Sequence, residues 1–467
     1  MKQFGILALL LTAACGPGIA PRPPLNDRFY FPSGIWFQAF SPADRKGYLY
    51  VASANYDKRY DSGAVSVVNL SSVTGLPEVG TLPAVDGGPA VPLELTDLGS
   101  DVSQVLIQSF AGEMAAYLMS SGGIRLFVPT RAEGDLLEIV DAQGSTLTCL
   151  HGGTNCIDPT LSLTALENVG DGKPRAPEPI GVAVSSSSGN DDVFVTHLKA
   201  ADSPPKTNLL QETYVVDLSA INPVIAPSSF VSLGLTSLFG AGPSTSSVAI
   251  GSRYAYLSAR YISASGTMIF VLDRQSKVTD PVTMRTSMTL YNPGLEASYL
   301  TLESRGVALG KNETRLYVAG RSPDSLVVAN ILPPSGGVPN LRVARAVSLP
   351  DGPNQVKVIS RPPRGDLVVV TSSTAGVVSI YDDDVGRLVS QINGVGSQPF
   401  GIAVQPADPG GRYPNVARVF VSNFGDGRVA VIDVDVVQPE KSRLVAHLGK
   451  TQTCLLQEND ASCLGTP

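Results

Sequence analysis

Arginine recurs at one place in a repeated pattern: FVPTR ends in Arg131, YLSAR in Arg260 and YVAGR in Arg321, each closing a short apolar run. Related stretches add Lys58, Arg59, Lys199 and Arg428, and Tyr56, Tyr60, Tyr261 and Phe424 stand among them. A guanidinium is a planar, permanently charged fork that pairs with both oxygens of a carboxylate or phosphate at once. Aromatic rings beside it suit a recognition surface. The binding-face candidates are therefore Arg59, Arg131, Arg260, Arg321, Arg428, Tyr56, Tyr261 and Phe424. The plainer account makes each arginine a solubilising group paired with local acids such as Glu133, Asp135 and Asp324, with the aromatics packing their own loops.

Chemistry beyond recognition is thinly supplied. There is no GxSxG, and the three histidines, His151, His197 and His447, stand far apart in the sequence, so no nucleophile and base pairing is expected. Zinc lacks ligands, since only His151 lies near any cysteine. The run Asp382, Asp383, Asp384 has no EF-hand spacing and reads as a turn capped by carboxylates. No CxxCH is present for haem. Catalytic residues, metals and cofactors are accordingly all expected to be none.

Composition narrows the partners. With 34 basic and 41 acidic residues the net charge is −7, which disfavours nucleic acid. The opening MKQFGILALLLTAAC has Lys2 followed by a short apolar run, the form of a secretory signal too short to span a bilayer. Export implies an oxidising compartment, where the close pairs Cys149 with Cys156 and Cys454 with Cys463 are expected as disulfides. Leu11 to Cys15 resembles the bacterial lipobox, which implies cleavage before Cys15 and lipidation there. Gly16, where many inner-membrane lipoproteins carry Asp, implies outer-membrane sorting, with the leaflet open. The following GPGIAPRPPLND, with four prolines in twelve residues, is an extended tether.

Those elements sit in a phrase repeated seven times: an apolar strand like GIAV, one like LYV and one like VSVID. The seventh copy reads PFGIAVQP, ARVFVSNFGDG and RVAVIDV, and the first reads PSGIWFQ, KGYLYVASANYD and AVSVVNL. A further strand candidate follows each copy, as in LRVARAVSL and RLVAHLG, and predicts four strands per unit. The stretch from Ser71 to Gly112 is long for a connection within this pattern. The phrase is similar to the YVTN-type β-propeller repeat, most closely at Gly401 to Val404, Phe420 to Asn423 and Val429 to Asp433. The resemblance implies an all-β, seven-bladed β-propeller of four-stranded antiparallel blades. A lone Trp36 differs from the tryptophan repeated in each blade of quinoprotein propellers.

The expected organisation is a signal peptide over 1–14, a lipid-anchored tether over 15–29, the propeller over 30–450 and a disulfide-looped tail over 451–467. The expected function is a non-catalytic envelope lipoprotein with a monomeric body, held to the membrane by its lipid alone. Its propeller would serve as a binding or scaffold module for an envelope protein or polymer, one carrying negative charge if the arginines form a collar. The alternative implied by related propellers is an enzyme of the lactonase or lyase kind with an axial active site.

Overall fold

The computed structural model describes residues 23–451 apart from 41–45, 82–90, 133, 164–177, 186–190, 199–209, 239–243, 260–268, 283–285, 292–302, 336, 409 and 411–413. Each copy of the phrase folds as an antiparallel meander. The first sheet holds β1 (Pro32–Gln38), β2 (Tyr48–Ser53), β3 (Gly63–Asn69) and β5 (Val102–Ile107), while β4 (Leu93–Leu95) leaves it. The second holds β6 (Ala115–Leu118), β7 (Ile124–Pro129), β8 (Leu137–Gln143) and β9 (Thr146–Cys149). Copy three supplies β10 (Pro179–Val184), β11 (Asp192–His197), β12 (Leu210–Ser219) and β13 (Phe230–Leu238). Copy four supplies β14 (Val248–Ile250), β15 (Tyr254–Ser258), β16 (Ile269–Thr279) and β17 (Thr286–Tyr291). A parallel pairing of Val231 and Ser232 with Thr286 and Ser287 joins these two into one eight-stranded sheet.

Copy five forms β18 (Glu303–Leu309), β19 (Arg315–Arg321), β20 (Ser325–Ser335) and β21 (Val338–Ser348). Copy six forms β22 (Pro353–Ile359), β23 (Leu367–Ser372), β24 (Val377–Asp382) and β25 (Arg387–Ile392). Copy seven forms β26 (Pro399–Gln405), β27 (Val416–Asn423), β28 (Arg428–Asp435) and β29 (Arg443–Leu448), and β4 adds a fifth strand parallel to β29. The stretch before copy two thus contains two strands, one completing its own sheet and one lent to the last.

Burial explains the residue pattern. In β23 and β24 every residue is buried, so LVVVTS and VVSIYD are near-continuous β-branched runs with apolar partners on both faces. The fourth strands lie outermost, and β25 and β17 alternate or expose their side chains accordingly. Apolar clusters fill the junction of each copy with the next: Val105 with Leu126, Leu137 with Val193, Val215 with Leu257, Tyr256 with Val318, Tyr317 with Val370, and Val369 with Val421. Phe420 and Leu49 continue the series from copy seven back to copy one, where Phe37 stacks on Phe420 with centroids 5.6 Å apart. Sheets packed face to face in a closed ring make a β-propeller.

Close approach around the axis requires small residues. A Cβ on Gly401 would lie 2.2 Å from the Ser33 carbonyl of copy one, and one on Gly306 would lie 2.4 Å from the Asn354 carbonyl of copy six. Glycine alone lets these inner strands meet. At the expected carboxylate turn, the Asp382 side chain accepts from Asp384 N at 2.9 Å and also pairs with Arg361.

Cys149 and Cys156 form a disulfide with their Cα atoms 4.9 Å apart. The bridged loop is a brace between copies: Leu106 of β5 donates to the Thr154 carbonyl at 2.7 Å, and Cys156 N donates back to Leu106 at 2.8 Å. Cys15, Cys454 and Cys463 lie outside the described residues.

Candidate functional site at one axial mouth

The connections between second and third strands, and the starts of the innermost strands, share one face of the ring. In copy one the connection is fixed by Asn55, whose side chain donates to the Tyr60 carbonyl at 2.7 Å and accepts from Tyr60 N at 3.1 Å. Asn55 has φ 47°, a conformation its short polar side chain tolerates. The bend presents Tyr56 to solvent, 54% exposed. In copy seven, Phe424 N donates to the Gln398 carbonyl at 3.0 Å and sets the Phe424 ring beside it. Tyr56 and Phe424 meet edge to face with centroids 5.5 Å apart, and Phe400 lies 6.4 Å from Phe424. Lys58 sits over Phe110 at 5.4 Å, extending the same aromatic patch.

These rings form one arc of a cavity of about 770 Å³ at the mouth of the axis, and Arg131, Arg305 and Arg321 also line it. Arg321, at the end of β19, donates to the carbonyls of Pro353 at 3.0 Å and Gly352 at 3.3 Å and to Ser373 Oγ at 3.2 Å. All three acceptors are neutral and belong to copy six, so they orient the guanidinium, whose charge is also felt by Asp324. Arg305, on β18, pairs with Glu303 at 2.7 Å. Arg131 follows β7, and its N–H donates to the Phe110 carbonyl at 3.3 Å.

Just inside the mouth, Glu113 of copy two and Gln355 of copy six are joined by a side-chain hydrogen bond. Glu113 N also donates to the Ile180 carbonyl at 2.8 Å, and Gln355 N donates to Thr371 Oγ1 at 3.1 Å. Burial pushes the Glu113 carboxyl above its usual range, against the opposing charge of Lys357 and the hydrogen bonds from Gln355 and Val182.

Of the residues singled out by sequence, Arg131, Arg321, Tyr56 and Phe424 come together at this mouth. Arg59 and Arg428 do not join its lining. Arg59 is held by Asp57 at 3.0 Å, and Arg428 by Glu94 at 2.7 Å and Asp426 at 2.9 Å. The physical reason is position: Arg428 opens a third strand, farther from the axis, and β4 brings Glu94 beside it. Arg260 and Tyr261 lie outside the described residues, as do Lys199 and Glu133. Asp324 accepts no hydrogen bond from Arg321, but it lies close enough for the two charges to act on each other, and Gly352 N donates to it at 3.2 Å.

Sequence reasoning missed Arg305, Phe400, Glu113 and Gln355. Arg305 and Phe400 immediately precede the glycine of their inner strands, in SRGVAL and PFGIAV, so alignment on that glycine rather than on the second strand would have found them. A smaller cavity of about 240 Å³ at the rim involves Asp27 and Lys450, which are already paired with each other.

No protein-family model and no curated protein matches the chain. Among solved structures, a periplasmic gluconolactonase of Pseudomonas aeruginosa is similar, with TM-score 0.50 and 14% identity over 87% of this chain and 98% of that one. Hydrazine synthase of Kuenenia stuttgartiensis has TM-score 0.48 and 12% identity, covering 90% of this chain and 99% of its own. A β-propeller domain from Myceliophteria thermophila has TM-score 0.47 and 11% identity, covering 86% and 96%. At such identities the first of these likenesses speaks to the fold alone, and it agrees with the ring of four-stranded antiparallel sheets.

Proposed function

We propose that the protein is a seven-bladed propeller, its eight-stranded sheet counting as two blades, that acts as a non-catalytic binding module for an anionic protein or polymer of the bacterial envelope. The observation that carries this is the convergence of Arg131, Arg305 and Arg321 with Tyr56, Phe400 and Phe424 on one axial cavity. Clustered guanidiniums raise the local potential although the whole chain is at −7, because potential near a surface follows the nearest charges. In this reading the chain is exported and anchored through lipid on Cys15, its sole membrane contact; the lipobox-like run supports it.

The test compares wild type with an Arg131→Ala, Arg305→Ala, Arg321→Ala triple variant as bait on detergent-solubilised envelope. The expected result is a retained partner that the triple variant loses and that salt releases from wild type, as the screening length falls to roughly 8 Å near 0.15 M. An identical set of partners on both baits would refute the reading.

One observation favours the lactonase or lyase alternative: just inside the mouth, Glu113 is a carboxyl whose hold on its proton is raised by burial. Turnover of a lactone panel by wild type and its loss in Glu113→Gln would replace the binding reading.

A further inference from the structure

We infer that the axial cavity is a blind pocket for a single end group consisting of a ring and a carboxylate, and that no strand passes through the channel beneath it. The inference rests on the binding reading above and names what that mouth recognises. Its first support is the floor. Glu113 and Gln355 come from copies two and six, on opposite sides of the ring, and their hydrogen bond spans the axis. Lys357, two residues farther along the same inner strand as Gln355, adds its charge to the Glu113 carboxyl from below. A polymer threading the ring would have to break this contact and desolvate both groups without replacement.

The walls define what fits above the floor. One arc offers flat apolar faces, Tyr56 with Phe424 at 5.5 Å and Phe424 with Phe400 at 6.4 Å, to which a ring stacks with little entropy cost. The other offers guanidiniums, and Arg321 is preorganised by three neutral acceptors, so a carboxylate arriving there meets a charge already oriented. A cavity of about 770 Å³ falls within the range of small-ligand sites, roughly 300 to 1,000 Å³. A monoanionic carboxylate suits it better than a dianionic phosphate, because Glu303 beside Arg305 already offsets part of the positive charge and repels a second negative one.

The test titrates the purified full chain by calorimetry with 3-phenylpropionate, its neutral amide 3-phenylpropanamide, and phenyl phosphate. The carboxylate is expected to bind at least about tenfold more tightly than the amide, and more tightly than phenyl phosphate. Phe424→Ala and Arg305→Ala, each checked for wild-type melting, are expected to weaken it by about fivefold or more. Equal affinity for carboxylate and amide, tighter phenyl phosphate, or no carboxylate binding up to about 20 mM would overturn the inference. These probes need no variant, so a misfolded substitution leaves the test intact. If arginine-dependent capture of an envelope partner persists while 3-phenylpropionate fails, this inference falls and the broader binding reading stands.

Discussion

Glu138 shows how one side chain can set the pH response of the whole chain. It is fully buried where copies one and two meet, and it accepts from Gln108 N at 3.0 Å. Burial pushes its carboxyl up to about 8, with the Gln108 hydrogen bond opposing and the charge of Asp158 reinforcing. The folded protein therefore holds a proton that the unfolded chain releases near 4.5, so this contribution to stability is complete below about 4.5 and is lost as pH rises through 8. Glu138→Gln keeps the shape and removes the titration. Denaturant unfolding between pH 5 and 8 should show wild type losing on the order of 3 kcal/mol more than the variant. Asp217, raised to about 6 by burial despite Lys277 at 2.8 Å, contributes with the same sign in both proteins and cancels from the difference. Parallel curves for the two proteins would show that Glu138 is not the titrating group. None of this was legible in LEIVDAQ, where a glutamate in an alternating strand looks like a solvent-facing residue.

At the scale of elements, β4 is the unexpected piece. The connection between β3 and β5 leaves copy one and clasps copy seven: Leu93 to Leu95 pair in parallel with Ala446 to Leu448. Gly449 N donates to the Leu95 carbonyl at 2.9 Å, Arg418 donates to the Pro77 carbonyl at 2.8 Å, and Gly80 N donates to Asp433 at 2.8 Å. Glu94 is the polar pin, reached by Arg428 at 2.7 Å and by His447 Nδ1 at 2.9 Å, while His447 Nε2 faces the Gly394 carbonyl at 3.1 Å. Glu94→Ala should cost about 1 kcal/mol, since the carboxylate is half exposed and partly screened. Hydrogen exchange should then speed up at 93–95 and 446–449 and stay unchanged in β23 and β24. Unaltered protection in the clasp would mean that the backbone pairing holds without its pin. The sequence LEL is too short to carry a period, whereas VSQVLI of β5 is a six-residue β-former run and could have been found.

For the molecule as a whole, the ring is sealed by ordinary core packing together with that clasp. The seam between copies seven and one contains Leu49, Phe37, Phe420 and Val431, and Ser422 Oγ donates to the Ser33 carbonyl at 2.8 Å. A ring closed in this way gives a rigid body. The anchor prediction belongs to this scale: Cys15→Ser should release the protein from the membrane fraction and abolish lipid labelling, with melting unchanged. Membrane retention and lipid labelling equal to wild type would overturn the anchor.

How much could be read beforehand follows from what repeats and what does not. The strand-forming phrase recurs along the chain, so local strand patterning indicated repeated four-stranded units, and the resemblance to the YVTN-type repeat implied an antiparallel propeller. The placement of Arg131 and Arg321 at one mouth followed from their equivalent positions in that phrase. Contacts that break the repeat were not legible in this way. Glu113 meets Gln355 across 242 residues of chain and Arg428 meets Glu94 across 334, each joining copies whose local sequences contain no sign of the other. Periodicity is a local property that a sequence displays openly, whereas the pairing of unlike residues across the axis and across the seam exists only once the ring has closed.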